Sequence, residues 1–114
     1  MKIAEEFKGT KGIWEVLFIE FENYNILCVG REDTVISQQT FGGKATEEMK
    51  ANAQLIAAAP ELLDALIETD KDLCVLEGNM AQIEKSDPRA DGMTTLVSEW
   101  RKRNKKAINK ALGK

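Results

Sequence analysis

The stretch Ala51-Asn52-Ala53-Gln54-Leu55-Ile56-Ala57-Ala58-Ala59-Pro60-Glu61-Leu62-Leu63-Asp64-Ala65-Leu66 decides the fold, because apolar residues here take up helical spacing after a strand-like N-terminal region. Just upstream, Thr46 offers a hydroxyl to cap a helix, and Glu47 and Glu48 stand where the positive end of a helix dipole favours carboxylates. A first helix is expected from about Thr46 to Ala58, with Met49, Ala53, Ile56 and Ala57 on one face. Pro60 disfavours helical geometry at Ala59 yet suits the first position of a new helix, so a break or sharp kink is expected there.

Beyond Pro60, Leu62, Leu66, Leu73, Leu76, Met80 and Ile83 follow an alternating four-three spacing in which Thr69 fills the only gap. This heptad face is narrower than a globular core helix usually shows and suits self-association as a homodimer or higher oligomer. Asp64, Glu68, Asp70, Lys71, Asp72 and Glu77 take the positions read as solvated, and Gly78 weakens the helix locally. The run Ser86 to Gly92 is a connector by composition. A last helix, from about Thr94 to Leu112, is then expected to fold back antiparallel and offer Leu96, Val97, Trp100, Ala107, Ile108 and Ala111 to the earlier one.

On the N-terminal side, the run from Ile13 through Trp14 to Phe21 is rich in β-branched and aromatic residues and reads as a strand. Glu22-Asn23-Tyr24-Asn25 supplies turn chemistry, Ile26 to Gly30 resumes an extended pattern, and Thr34 to Ser37 adds a short third strand before Gly42-Gly43. The expected class is α+β: an N-terminal antiparallel β-hairpin or three-stranded sheet (13–37) followed by two or three α-helices (46–112). The last two helices form an antiparallel helical hairpin, all within one domain, 1–114.

The segment from Ala51 to Leu66 resembles the ANAxLIAAAPxLLxAL segment of small accessory proteins encoded by tailed bacteriophages and prophages, in which a short Trp-containing β region often comes first. The resemblance covers roughly residues 13 to 67. It implies a role in host takeover, counter-defence or regulation, and transfers no site residue. The alanines at 57, 58 and 59 also have a plain packing reason, since small side chains let helices approach closely.

Composition narrows the chemistry. The 114 residues are 43% hydrophobic and contain no histidine, and Cys28 and Cys74 lie far apart, so neither a metal site nor a cofactor is expected. Both cysteines read as buried small hydrophobes. The acidic pairs Glu47/Glu48, Glu68/Asp72 and Asp70/Asp72 lack the base, nucleophile or loop that catalysis needs, and Gly42-Gly43-Lys44 lacks the spacing of a phosphate loop. No catalytic residue is expected, and the chain reads as a binding protein rather than an enzyme. No stretch approaches about 18 consecutive apolar residues, and the start Met1-Lys2-Ile3-Ala4-Glu5 has no secretory pattern, so a place in the bacterial host cytoplasm is expected and no membrane partner.

Net charge is −3, but seven of the 16 basic residues and none of the 19 acidic ones lie from Arg101 onward. Arg101, Arg103, Lys105 and Lys106 are therefore the candidate binding residues for a phosphate or an acidic partner, beyond what complementing a helix dipole requires. Trp14 and Trp100 read as core anchors, either of which could wall an aromatic pocket. Three functional readings follow. The first is an oligomeric inhibitor of a host protein, such as a defence component. The second is a sponge that sequesters a phosphorylated nucleotide signal. The third is a nucleic-acid-binding regulator, against which the acidic body argues.

Overall fold

The computed structural model describes residues 7–114, in two compact units that share one helix. The first unit, residues 9–62, begins with three strands: β1 (Glu15–Glu20), β2 (Asn25–Arg31) and β3 (Thr34–Phe41). They form an antiparallel sheet in the order β1-β2-β3, with Leu17 opposite Cys28 and Leu27 opposite Gln39. The third strand runs four residues past the expected Ser37.

Both hairpins turn on two central residues, although Phe21 and Tyr24 also lie between β1 and β2. Glu22-Asn23 joins β1 to β2, closed by the Phe21 amide donating to the Tyr24 carbonyl at 2.9 Å, and the Phe21 and Tyr24 rings stack at 4.8 Å. Glu32-Asp33 joins β2 to β3 with Glu32 at φ +54°, the left-handed region that hairpin loops demand. A bulge at Val29/Gly30 shifts the register, and a Cβ on Gly30 would meet the Thr34 carbonyl oxygen at 2.6 Å, so the close approach requires glycine.

Alternation sends Leu27 and Val29 to one face of the sheet, where they are buried against Ala53 and Ala57. Trp14, Val16, Ile36, Phe41, Met49 and Ile56 close around this core. The small alanines bring the helix backbone close to the sheet, as their size suggests.

Helix α1 spans Glu47–Ser86, forty residues, and contains Pro60. Thr46 caps it as expected: its Oγ accepts from the Met49 amide at 3.1 Å. The expected break at Pro60 does not occur, and there is no first helix ending near Ala58. Inside a helix proline loses its own N–H from the ladder and its ring crowds the carbonyl four residues earlier, together a cost of about 3 kcal/mol. The buried stripe runs on across it from Ala53 and Ala57 to Leu63 and Ile67, so apolar burial on both sides outweighs that cost.

The second unit holds residues 63–114 with Phe7 and Lys8. After α1 come a single 3-10 turn (Pro88–Ala90), capped by Asp87 accepting from the Arg89 amide at 3.0 Å, and helix α2 (Met93–Ala111). The expected helical hairpin is present. Its apolar core is Leu63, Ile67 and Ile108, with Phe7, Leu66 and Leu112 against it. No helix among the described residues is long and apolar enough to cross a membrane.

Replacing Pro60 by alanine restores the missing N–H and should stabilise the protein by about 1–3 kcal/mol. Urea denaturation followed by circular dichroism checks this, and unchanged or lower stability would show that α1 needs the proline at this point.

Candidate functional site

The two helices of the second unit meet along a seam that is apolar at one end and polar along most of its length. From α1 it uses Leu63, Ile67, Asp70, Glu77 and Glu84, and the three acids are spaced by seven, so all face α2. From α2 come Thr94, Val97, Ser98, Arg101, Asn104, Lys105 and Ile108.

Each acid finds a donor. Glu84 Oε1 accepts from the Thr94 amide at 2.8 Å and so caps a helix whose N-cap, Gly92, has no side chain to do it. The Ser98 hydroxyl donates to Glu77. Arg101 donates to Asp70 Oδ1 at 3.3 Å and to Glu77 Oε1 at 3.2 Å, Lys105 reaches Asp70 Oδ2 at 3.4 Å, and Asn104 donates to the Leu66 carbonyl at 2.9 Å.

Asp70 is thus buried, not solvated, and Glu77 is partly buried, which corrects the sequence-based reading of both. Their cations lie 31 and 24 residues away along the chain, so only folding reveals the partners. The cue in the sequence was the seven-residue spacing of Asp70, Glu77 and Glu84 opposite a basic last helix. The Ser98 hydrogen bond is the largest cause holding the Glu77 carboxyl below the ordinary glutamate range. Partial burial opposes it and Arg101 reinforces it.

The seam reassigns the basic cluster. Arg101, partly buried in the seam, and Lys105, exposed at its margin, both pair with Asp70, whereas Arg103 and Lys106 are exposed and make no ion pair among the described residues. Lys102 pairs with Glu99 at 3.3 Å. Arg103 and Lys106 line a groove of about 470 Å³ on α2 together with Leu96, Glu99, Trp100 and Lys102. Trp100 is 37% exposed and Leu96 44%, so these two, with Ala107 and Ala111, are not given to α1 as the sequence suggested. Val97 and Ile108 are. Trp14 belongs to the first unit, where it packs on the sheet core and donates to the Thr10 carbonyl at 3.0 Å.

The heptad residues Leu66, Leu76 and Ile83 each stand one position before a seam residue, with Leu73 and Met80 continuing the same stripe, and Met93, Leu96, Trp100, Arg103 and Ala107 stand likewise on α2. One residue turns a helix by about 100°, and antiparallel helices turn in opposite senses, so both sets come to the same side of the hairpin. That side is half exposed throughout. Leu62 ends the first unit and is also exposed. Of the two cysteines, Cys28 is buried in the sheet and Cys74 is exposed, against the expectation of burial for both.

Replacing Asp70 by alanine leaves Arg101 and Lys105 without their shared acceptor and should cost about 1–3 kcal/mol. Because Glu77 titrates below its unfolded value, its contribution is complete above the ordinary carboxylate range and disappears as pH falls through and below about 4. Ser98→Ala should flatten that acid-side loss in melting experiments between neutral and acid pH. An unchanged profile would remove Glu77 from the account.

No curated protein and no solved structure matches the chain. A family model does, over residues 1–114, and by it the chain belongs to the family of Salmonella phage P22 protein Y8K6.

Proposed function

We propose that this phage accessory protein acts by binding rather than catalysis, as an oligomeric inhibitor of a host protein in the host cytoplasm, with counter-defence as the setting. The observation that carries the reading is the outer face of α2, where Trp100 and Leu96 are exposed beside Arg103 and Lys106, two cations without an ion pair among the described residues. Tryptophan and arginine are the side chains that most often dominate protein interfaces, and an apolar anchor ringed by cations fits an acidic protein surface. Self-association uses the neighbouring α1 stripe of Leu73, Leu76, Met80 and Ile83, whose half-exposed side chains a second copy would cover.

A second reading, capture of a phosphorylated nucleotide, draws on the same groove, because Trp100 can stack a base while Arg103 and Lys106 meet phosphates. The basic residues Lys102, Lys106 and Lys110 on α2 keep a nucleic-acid partner as a third.

The test is a pull-down from host extract with the wild type and the Trp100→Ala and Arg103→Glu variants, beside light scattering of Leu76→Glu. Both α2 variants should lose the captured protein while keeping their fold, and Leu76→Glu should be monomeric. A wild type that is monomeric at every concentration defeats the oligomer, and capture indifferent to both α2 changes defeats the interface. A nucleotide panel that raises the melting temperature would move the second reading to first place.

A further inference from the structure

The first unit carries a feature that none of this uses. Strand β1 is an edge strand among the described residues, and the alternation of its hydrogen bonds shows which of its backbone groups are unspent. The Phe21–Tyr24 closure makes Ile19–Ile26, Leu17–Cys28 and Glu15–Gly30 the bonded pairs with β2. The N–H and C=O groups of Val16, Phe18 and Glu20 therefore point away from the sheet. Their side chains lie on the face that carries Leu27 and Val29, the face toward α1.

Beside that edge lies a groove of about 720 Å³. Its floor is Val16, Phe18 and Leu27, and its far wall is Lys44, Lys50 and Gln54. Phe18 is 47% exposed although it sits on the core side of the sheet, because the alanine face of α1 covers Leu27 and Val29 and leaves it uncovered. A row of free backbone donors and acceptors next to an apolar trough is the arrangement by which sheets accept an extra strand: the main chain supplies affinity and alternate side chains supply selection.

We propose that the groove between β1 and the N-terminal turns of α1 binds an extended peptide as a fourth strand. The residues of the peptide opposite Val16, Phe18 and Glu20 would enter the groove. Those opposite Phe18 and Val16 meet apolar floor, whereas both ends of β1 are acidic, at Glu15 and Glu20. The matching segment is apolar in its middle and basic at its ends, since opposite charges directly across a strand pair are favourable and like charges are not. A second copy of β1 is a poorer match: antiparallel pairing through the same free groups, centred on Phe18, sets Glu20 against Val16 and leaves the acids at both ends without a counter-charge.

The probe is a library of random linear peptides selected on the full-length protein. The selected peptides are then titrated against the wild type and against the Phe18→Pro and Glu20→Lys variants. Proline at Phe18 removes an outward N–H and the groove floor without breaking a bond to β2, so the sheet should survive while binding is lost. Glu20→Lys, a surface change, should weaken the basic-ended peptides about fivefold or more and favour acidic-ended ones. Trp100→Ala should bind them as the wild type does, which separates this site from the α2 surface. Selection that enriches no sequence, enrichment of peptides without basic ends, or binding that survives both β1 variants would overturn the proposal.

Discussion

The unbroken course of α1 through Pro60 is the constraint on which both cores depend. One helix supplies Ala53 and Ala57 to the sheet and Leu63 and Ile67 to the helical hairpin, and the proline between them tolerates no gap in that series. Each unit is small, and the apolar face of the three-stranded sheet is buried by the helix packed on it. The helix therefore absorbs the cost of an interior proline and gives each unit the apolar partner it lacks.

Polar chemistry completes what this sharing leaves unfinished. The apolar core of the hairpin gathers at Leu63, Ile67 and Ile108 near one end, and toward the connector, where Val97 is the one buried apolar residue of α2, the seam passes to Asp70, Glu77 and Glu84. Carboxylates in such a place hold only when each is matched by a donor, and α2 provides one at every level, down to its own first-turn amide at Thr94. Arg101 is drawn inward by this requirement, Lys105 is held at the margin of the seam, and the remainder of the basic helix stays outside. The division between structural and available charge on α2 follows from it.

Much of this was legible in the residues. The strands, the Thr46 cap, the connector and the antiparallel last helix all follow from local rules about turns, caps and periodicity. What escaped those rules depends on distant partners. Pro60 reads locally as a boundary, and only burial on both of its sides carries the helix through. Asp70 reads as a solvated acid, and Arg101 and Lys105 as free cations, until the chain brings them together across more than thirty residues. The apolar heptad at Leu66, Leu73 and Met80 drew attention to a face one step away from the true seam, whose polar members carry the same period less visibly. The β1 groove was hidden because a strand apolar on both faces does not reveal which side chain the helix leaves bare.

The seam also acts as a register key. Arg101 bridges two acids one heptad apart, so sliding α2 by seven residues toward Glu84 would still let it bridge Glu77 and Glu84. It would also carry Ile108 to the level of Asp70, setting an aliphatic side chain against a desolvated carboxylate. A seam of leucines would accept either alignment with little penalty, whereas a mixed one admits a single alignment. Unique pairing, more than added strength, is what the seam acids, buried at Asp70 and half-buried at Glu77 and Glu84, contribute to the fold.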